Sequence, residues 1–347
     1  MSNLITVESV TSGHPDKICD QVSDAILDEC LRQDPKSRVA IESFGAHGLF
    51  VIGGEVTTKA KFDAAKIAAK VYKKIGHTDK LKIITNIIKQ SPDIALGVDT
   101  GGAGDQGIMY GYATNETPEY LPKAVVLVHK LTKGLEELRR SKKIKWLLPD
   151  GKAQVTMWDG HIKTVLVSAQ HKKGVKLETI RKEITEKLIK KVVGKNLKGI
   201  QILVNPTGRF EVGGFVADTG LTGRKIMVDT YGGIIPHGGG CFSGKDPTKV
   251  DRSAAYMCRF VAKNLVAKGM AKSALVSVAY AIGKADPLMI EARDEKGKSL
   301  TAYVRKNYDF RPLAIIEKLK LRNPIYFQTA SYGHFGKPGL PWEVVEN

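Results

Sequence analysis

One local order of secondary structure recurs three times along the 347-residue chain: two β-strands and then an α-helix. The predicted strand pairs lie at 38–44 and 49–57, at 153–158 and 162–169, and at 275–282 and 288–292, and the predicted helices lie at 61–75, 177–193 and 300–308. Each unit can bury its apolar face by laying its helix on its strands. We therefore predict an α+β fold of three similar units, in which Gly76 ends the first of these helices.

The charge balance is strongly basic. Lys and Arg number 54 and Asp and Glu number 36, so the formal net charge is +18. Such a surplus favours an anionic partner: a nucleic acid, a membrane surface or a phosphorylated small molecule. The lysines are scattered and aromatic residues make up only 7%, whereas a strip that binds nucleic acid interleaves basic and aromatic residues. We therefore expect no nucleic acid as a partner.

The cysteines and apolar segments predict a cytoplasmic protein. The four cysteines lack CxxC spacing, which argues against a zinc or redox motif and for reduced thiols. The first residues lack a basic segment followed by an apolar run, so we predict no signal peptide. The longest apolar run, near 124–128, is too short to cross a bilayer, and we expect no membrane partner.

The first polar segment reads SGHPDK at 12–17. Pro15 suits the first position of a helix and Asp16 suits its first turn. We predict that Asp16 holds a hard metal ion while His14 contacts a phosphate at this helix N-terminus. Further along the helix, aspartates recur every four residues at 20, 24 and 28, and we predict that they form a solvated acidic face.

A second segment, GGAGDQG at 101–107, contains the GxGxxG pattern. No clean buried strand precedes it, and no acidic residue stands at the place that would bind a ribose. We therefore predict a glycine-rich loop that carries Asp105, not a dinucleotide-binding fingerprint.

The third segment, 223–256, is the longest polar stretch. Residues 239–245 match GxxxxGK, but Asp246 stands where a P-loop has Ser or Thr. The predicted strand at 225–231 is also separated from this motif by a Gly/Pro loop, so we exclude a P-loop.

The composition of that segment nevertheless indicates a polyphosphate site. Glycines allow close approach of the backbone, and four basic residues can neutralise phosphate charge: Arg224, Lys225, Lys245 and Lys249. The carboxylates of Asp246 and Asp251 are suitable ligands for Mg²⁺. Elsewhere, Phe210 suits either base stacking or a core position, Gln90 is uninformative alone, and His334 among aromatic residues predicts a structural role.

Together these motifs resemble the S-adenosylmethionine synthetase family. GHPDK at 13–17, GAGDQG at 102–107 and GGGCFSGKDPTKVDRSAAY at 238–256 carry the resemblance. KQSPDI, YGYATNE, NPTGRF, GLTGRK, VDTYGG, DFRP and YGHFG follow the family's order. The resemblance covers nearly the whole chain.

The resemblance implies three similar α+β domains around a pseudo-threefold axis. We place an N-terminal domain at 1–100, a central domain with a gating loop at its start at 101–211, and a C-terminal domain with the phosphate loop at 212–347. The implied enzyme is a methionine adenosyltransferase of one-carbon metabolism. The methionine sulfur attacks the ribose 5′ carbon of ATP and expels triphosphate, which is then hydrolysed to pyrophosphate and phosphate.

The resemblance also implies residue roles. The catalytic residues would be His14, Lys152, Arg224 and Lys245. ATP would be bound by His14, Asp150, Lys152, Arg209, Phe210, Asp218, Arg224, Lys225, Cys241 and Lys245, with Phe210 stacking on adenine. Methionine would be bound by Glu55, Gln90, Asp105, Asp218 and Lys249.

The implied cofactors are two Mg²⁺ per site, held by Asp16 and Asp251, and one K⁺ per subunit, held by Glu42. The implied assembly is a homodimer with shared active sites, and commonly a homotetramer. Two departures from the family stand out: the gate at 99–103 is short, and Cys241 replaces a more usual Ala. A short gate would close less fully or release product faster, and oxidation of Cys241 would inhibit.

Three alternatives compete with this interpretation. Another Mg-dependent, ATP-using phosphate enzyme would release phosphate without methionine, although the kinase signatures are missing. A nucleic-acid-binding protein is motivated only by the net charge. A non-catalytic subunit would keep the fold but lose site residues, and the set here is complete.

Overall fold

The computed structural model describes residues 4–90 and 101–346. The strands and helices are β1 Leu4–Val10, α1 Pro15–Gln33, β2 Arg38–Ala46, β3 Leu49–Thr57, α2 Ala64–Ile75, β4 Lys82–Ile88, β5 Gly107–Thr114, α3 Lys123–Arg140, β6 Leu147–Trp158, β7 His161–His171, α4 Leu177–Ile184, α5 Lys190–Val193, β8 Gln201–Val204, β9 Gly220–Leu221, α6 Ile226–Asp229, α7 Val250–Ala267, β10 Ser273–Tyr280, β11 Met289–Asp294, α8 Thr301–Asn307 and α9 Pro312–Lys318. The α+β prediction is confirmed.

The three predicted strand–strand–helix units are present. β2 pairs with β3, β6 with β7 and β10 with β11, all antiparallel. The first hairpin turns at His47 and Gly48, both with positive φ, which matches the twist of the strands. Gly76 ends α2 in a left-handed conformation, as predicted. The second predicted helix covers 177–193 as expected, but it is less regular, because a π-helical turn at Thr185–Ile189 joins α4 to α5.

The predicted strand at 225–231 is wrong. Residues Ile226–Asp229 form a single helical turn, α6, closed by a hydrogen bond from Asp229 N to Lys225 O of 2.9 Å. The Lys225 side chain is bound to Asp16, and the Asp229 side chain is bound to Lys17. These two side-chain contacts fix both ends of the turn, and they override the weak strand propensity of the segment.

The three sheets exchange strands along the chain. β1 pairs with β6, β5 pairs with β10, and β9 pairs with β2. The resulting sheet orders are β1-β6-β7-β8, β11-β10-β5 and β4-β3-β2-β9. Each sheet therefore takes one strand from outside its contiguous stretch of sequence. The boundaries at 100 and 211 remain a prediction, and the sheets cross both.

Each sheet is covered by one long helix. α1 packs on β2, α3 on β6 and β1, and α7 on β5 and β10. Nearly every residue of α1 and α7 is buried, so these helices lie inside the molecule. α3, α7, β1 and β5 were not expected from the sequence. Among the described residues, no helix has the length and apolar character needed to cross a membrane.

Arg259 anchors α7 in this arrangement. Its fully buried guanidinium donates to Glu343 Oε1 at 3.0 Å and Oε2 at 2.9 Å. It also donates to the backbone oxygens of Tyr112, Glu119 and Tyr120 at 2.7–2.8 Å. One side chain thus connects α7 to β5, to the following loop and to the C-terminal segment.

Replacing Arg259 with Met should lower the free energy of unfolding by about 3–5 kcal/mol, because it leaves Glu343 buried beside one remaining cation, Lys263. The matched control is Arg293→Met, which removes an exposed pair with Glu291 and should cost less than about 1 kcal/mol. Urea denaturation followed by circular dichroism measures both. Equal losses in the two variants would contradict the anchoring role.

Candidate active site

The N-terminus of α1 is built from His14, Pro15 and Asp16. His14 is the N-cap residue, and its Nδ1 accepts a hydrogen bond from Asp16 N at 3.2 Å. Pro15 starts the helix, as predicted. His14 and Asp16 are both buried. The partial positive charge of a helix N-terminus favours an anionic ligand at this point.

His14 is a neutral hydrogen-bond donor. Burial and, to a smaller extent, the nearby cations Lys225 and Lys152 together lower its pKa to about 2, against an opposing contribution from Asp218. Because Nδ1 accepts the Asp16 amide, the single ring proton belongs on Nε2. The ring can therefore donate to an anion throughout the physiological pH range.

Asp16 binds the segment that carries two of the predicted triphosphate-binding cations. Its Oδ1 accepts a hydrogen bond from Leu221 N at 3.0 Å, and its Oδ2 accepts one from Lys225 Nζ at 2.5 Å. Arg224 Nε lies 3.7 Å from the same carboxylate, and half of the Arg224 side chain is exposed. The resulting cluster holds one carboxylate and two cations at the helix N-terminus.

The phosphate loop forms a second pair of the same kind. Lys245 Nζ donates to Asp251 Oδ2 at 2.6 Å, and Asp251 stands in the first turn of α7. The two clusters adjoin, because a Cβ added to Gly223 would lie 2.6 Å from Cys241 Cβ. Lys249, the predicted methionine-binding lysine, forms an ion pair with the buried Asp246.

Asp246 is not free for a metal ion. Its Oδ2 accepts a hydrogen bond from Val39 N at 2.7 Å, and its own amide donates to Val39 O at 3.0 Å. Its Oδ1 accepts the amide and hydroxyl of Thr248. This carboxylate fixes the loop to β2, so its predicted ability to bind Mg²⁺ is replaced by a structural role.

The donor set of the clusters suits Mg²⁺ bound to phosphate. No group of three or more His, Cys, Asp or Glu side chains within the described ranges could hold a metal ion alone. Asp16 and Asp251 instead offer one carboxylate each. Mg²⁺ commonly takes one or two protein carboxylates and completes its shell with water and substrate phosphates. The two residues therefore fit the predicted metal sites.

Asp150 lies beneath the same helix end. Its Oδ2 accepts a hydrogen bond from Gly214 N at 2.9 Å, and its buried Oδ1 has no well-formed partner. Burial raises the pKa of Asp150 to about 6. Lys152 and Asp218 act electrostatically on both Asp150 and His14, so these two exposed residues border the cluster.

Phe210 is held by its backbone. Phe210 N donates to His171 Nε2 at 3.1 Å, and Phe210 O accepts from His171 N at 2.9 Å. Its side chain is partly exposed, and the neighbouring Arg209 is exposed. The ring is therefore fixed in position without being part of the core, which leaves its surface open to a ligand.

Among the described residues, the other predicted methionine and potassium residues form no hydrogen bond with these clusters, but Glu42 acts electrostatically on Cys241 of the phosphate loop. Glu42 and Glu55 stand on the outward face of β2 and β3. Gln90 follows β4, and its buried Oε1 has no hydrogen-bond partner. Asp105 bonds to the amide of Gln106 and raises the pKa of Lys245 from a distance. No described contact joins the four to each other.

The predicted solvated acidic face of α1 is wrong. Asp20 and Asp24 are 0% exposed and Asp28 is 7% exposed. Each accepts backbone amides from distant segments, and Lys17 and Arg252 supply buried countercharges. Spacing of four residues shows a shared helix face, but it does not show what covers that face. Repeated Asp, rather than Glu or Lys, was the available signal, since short carboxylates favour bonds to backbone amides.

Cys241 and His334 also take defined places. Burial raises the pKa of the Cys241 thiol, which disfavours the reactive thiolate and weakens the oxidation hypothesis. All four cysteines are free. His334 is fully buried, and its Nδ1 lies 2.8 Å from Tyr256 Oη. The gate at 99–103 lies partly outside the described residues.

Comparison with known proteins decides the family. Three models of the S-adenosylmethionine synthetase family match the chain: the N-terminal domain at residues 2–92, the central domain at 100–210 and the C-terminal domain at 212–344. The chain belongs to the S-adenosylmethionine synthetase family. It is a methionine adenosyltransferase, and it makes S-adenosylmethionine from ATP and methionine. The family is metal-dependent.

Curated relatives align over almost the full chain. The S-adenosylmethionine synthase of Thermus thermophilus is 49% identical over 382 residues, covering 99% of this chain and 96% of the relative. That of Pseudothermotoga lettingae is 50% identical, covering 100% and 97%, and that of Staphylococcus epidermidis is 49% identical, covering 99% and 96%. Since 382 aligned positions exceed 347 residues by 35, at least that many positions of the Thermus protein have no counterpart here.

The buried Asp150 carboxyl predicts a specific pH dependence of stability. In the unfolded chain it ionises near pH 3.8, whereas in the folded chain it keeps its proton up to about pH 6. Between these values the folded state binds more protons, so its contribution to the free energy of unfolding falls as pH rises, by about 3 kcal/mol.

Asp150→Asn should remove this contribution. The difference in unfolding free energy between the unaltered protein and the variant, measured in urea from pH 4 to 7, should fall with rising pH. Asp286→Asn, which removes an exposed carboxylate, is the control. A pH-independent difference for Asp150→Asn would contradict the raised pKa.

Proposed function

We propose that the clusters at the N-termini of α1 and α7 bind the triphosphate of ATP and stabilise its departure from the ribose 5′ carbon. One observation carries the proposal: two carboxylates, each paired with a lysine, adjoin a neutral, buried imidazole at a helix N-terminus. A thioether nucleophile has no proton to lose, so the reaction demands charge stabilisation and alignment more than acid–base chemistry.

His14 donates from Nε2 to the oxygen that is expelled from the ribose. Lys152, Arg224 and Lys245 stabilise the charge that develops on the triphosphate, and Lys225 holds its chain. Because His14 stays neutral, it supplies a hydrogen bond without competing with the cations for counterions. Cys241 lies in the phosphate loop beside Gly223 of the other cation-bearing segment, and it contacts the ATP phosphates.

Asp16 and Asp251 hold two Mg²⁺ ions per site. When bound, Mg²⁺ neutralises charge on the phosphate oxygens and orients them. Lys225 and Lys245 pair with these same carboxylates in the structure. With Mg²⁺ held by these carboxylates, the two lysines would be free to donate to phosphate oxygens, and the charge in the site would stay balanced.

The adenosine binds between the central segments. Phe210 stacks on adenine, and Arg209 borders the same pocket. Asp150 and Asp218 lie near the ribose. Two observations support this arrangement: the Phe210 ring is positioned through its backbone, and Asp150 Oδ1 lacks a hydrogen bond that a ribose hydroxyl could donate.

Methionine binds near Glu55, Gln90, Asp105, Asp218 and Lys249, and Glu42 holds one K⁺ per subunit. Glu42 and Glu55 lie on the outward face of the β4-β3-β2-β9 sheet, and Glu42 acts electrostatically on Cys241 of the phosphate loop. We infer that two subunits of a homodimer meet at this face and share the active site, and that two dimers form a homotetramer. We place the enzyme in the cytoplasm.

The same sheet face is apolar enough to form that interface. By strand register, Phe44, Val51 and Ile84 lie side by side, and Ile88 lies beside Glu55. Phe44 is 38% exposed, Ile84 is 42% exposed and Ile88 is 58% exposed. A contiguous exposed apolar face on a folded chain is typical of a subunit contact.

Lys245→Met should lower kcat by about 100- to 1,000-fold, because it removes one charge that stabilises the leaving triphosphate. The assay contains ATP, Mg²⁺ and K⁺, with and without methionine, and follows S-adenosylmethionine by mass spectrometry and phosphate by colorimetry. Product formation should require methionine.

The matched control is Lys176→Met. Lys176 is an exposed lysine directly before α4 and outside the phosphate clusters, so this variant should leave kcat unchanged. Near-normal turnover of Lys245→Met would contradict the phosphate role. Release of phosphate without methionine would favour the Mg-dependent, ATP-using phosphate enzyme instead.

Ile84→Glu should weaken the dimer, because it places a charge in the apolar interface. Sedimentation velocity should show a shift toward monomer, and activity should become dependent on protein concentration. Ile282→Glu changes a residue that is 63% exposed and follows β10, outside this face, and serves as the control. A fully active Ile84→Glu monomer would contradict the shared site.

A further inference from the structure

Four aspartates on α1 form a ladder of backbone acceptors. They follow one another every four residues, and none is more than 7% exposed. Asp16 accepts Leu221 N at 3.0 Å, Asp20 accepts Gly223 N at 2.9 Å, Asp24 accepts Gly244 N at 2.9 Å, and Asp28 accepts Tyr326 N and Phe327 N, both at 2.9 Å. One helix face thus binds three separate downstream segments. Two of these segments carry the cations of the active site.

We propose that Asp20 and Asp24 are positioning residues for the adenosyl transfer, and that each one holds a different cation-bearing loop. Asp20 holds the segment with Arg224 and Lys225, and Asp24 holds the segment with Lys245. This inference rests on the proposed function, in which those cations bind the triphosphate.

Asp20 acts on its loop at both ends. Its Oδ1 accepts the amide of Gly223, the residue directly before Arg224. Its Oδ2 accepts Lys17 Nζ at 2.9 Å, and the same ammonium donates to Asp229 Oδ1 at 2.5 Å. Asp229 ends α6, so the chain from 223 to 229 is fixed to α1 at its start and at its finish. All three charged groups are buried.

Asp24 acts on the phosphate loop through a buried arginine. Its carboxylate accepts Arg252 Nη1 at 2.8 Å and Nη2 at 2.7 Å, besides the amide of Gly244. Arg252 Nη1 also donates to Lys245 O at 2.9 Å. The backbone at Lys245 is therefore fixed at two points. Asp24 binds the amide of the preceding residue, Gly244, and Arg252 binds the carbonyl of Lys245 itself. Asp24 and Arg252 are both 0% exposed.

At Gly244 the loop depends on bonds to its backbone, because this residue has no side chain to fix it. Gly244 has a φ of +81°, and a Cβ there would lie 1.9 Å from Ile41 O. Ile41 N donates to Gly244 O at 3.0 Å, so the glycine lies against β2 by backbone contacts alone. An Asn at position 24 keeps the shape of Asp but turns an amide NH₂ toward donors, which would displace the loop. A displacement near 1 Å can cost about 100-fold in rate.

The test is a set of crossed double-mutant cycles measured on kcat. Asp20→Asn and Asp24→Asn are each combined with Lys225→Met and with Lys245→Met. Alone, each Asn variant should lower kcat by about 10- to 100-fold. The matched background is Lys225→Met for Asp20→Asn and Lys245→Met for Asp24→Asn. In that background each Asn substitution should lower kcat by no more than about twofold further, because the lysine that it positions is already absent. The crossed background pairs Asp20→Asn with Lys245→Met and Asp24→Asn with Lys225→Met. There each Asn substitution should still cause most of the fall in kcat that it causes alone.

Asp28→Asn is the control for general damage to α1. It removes a buried carboxylate from the same helix face, and that carboxylate binds two amides outside the active site. It should lower the melting temperature about as much as Asp24→Asn while leaving kcat within about twofold of the unaltered enzyme. If Asp24→Asn is unfolded at the assay temperature, Arg252→Lys replaces it, because it keeps the charge and loses the bidentate contact.

The outcomes separate the two proposals. The positioning roles would be overturned if an Asn substitution lowered kcat equally in the matched and crossed backgrounds. They would also be overturned if Asp28→Asn lowered kcat as much as Asp24→Asn does. Unchanged kcat in both lysine variants would instead overturn the proposed function, and the inference with it. Matched coupling with an active Asp28→Asn supports the assignment of Asp20 and Asp24.

Discussion

The geometry of the proposed active site depends on buried carboxylates of α1 that accept backbone amides. A carboxylate inside a protein is costly unless it is fully bonded. Here the aspartates at 20 and 24 meet a buried lysine, a buried arginine and loop amides. Each contact that satisfies a carboxylate also fixes a loop. The requirement to compensate buried charge thus determines where the flexible, glycine-rich segments come to lie.

The same charges set the electrostatics of the site. Lys225 brings positive charge to the N-terminus of α1 and Lys245 brings it to the N-terminus of α7, yet each is paired with a carboxylate in the structure. In the proposed function, these lysines would donate to a highly anionic substrate once metal ions are held by the carboxylates, and no charge would be left uncompensated. His14 completes the site as a neutral donor, because burial and the adjacent cations both oppose its protonation.

The exchange of strands makes the three sheets interdependent. β1, β5 and β9 each join a sheet whose other strands come from a different part of the chain. α1 lies under one sheet and carries the aspartates, while the loops they hold arise near β9 and before α7. The proposed active site therefore forms only when distant segments have docked. This arrangement also explains why its basic residues are dispersed along the sequence.

The sequence by itself determined the three strand–strand–helix units, since hydrophobic period, turn residues and the glycine at 76 are local signals. It also determined the family, because long motifs such as GHPDK carry the resemblance. It predicted which polar residues belong to a site, but not their contacts. Only the tertiary structure decided that the acidic face of α1 is buried, that residues 226–229 turn into a helix and that three strands are exchanged. The physical reason is that burial, ion pairing and strand pairing depend on partners hundreds of residues away, which no local pattern encodes.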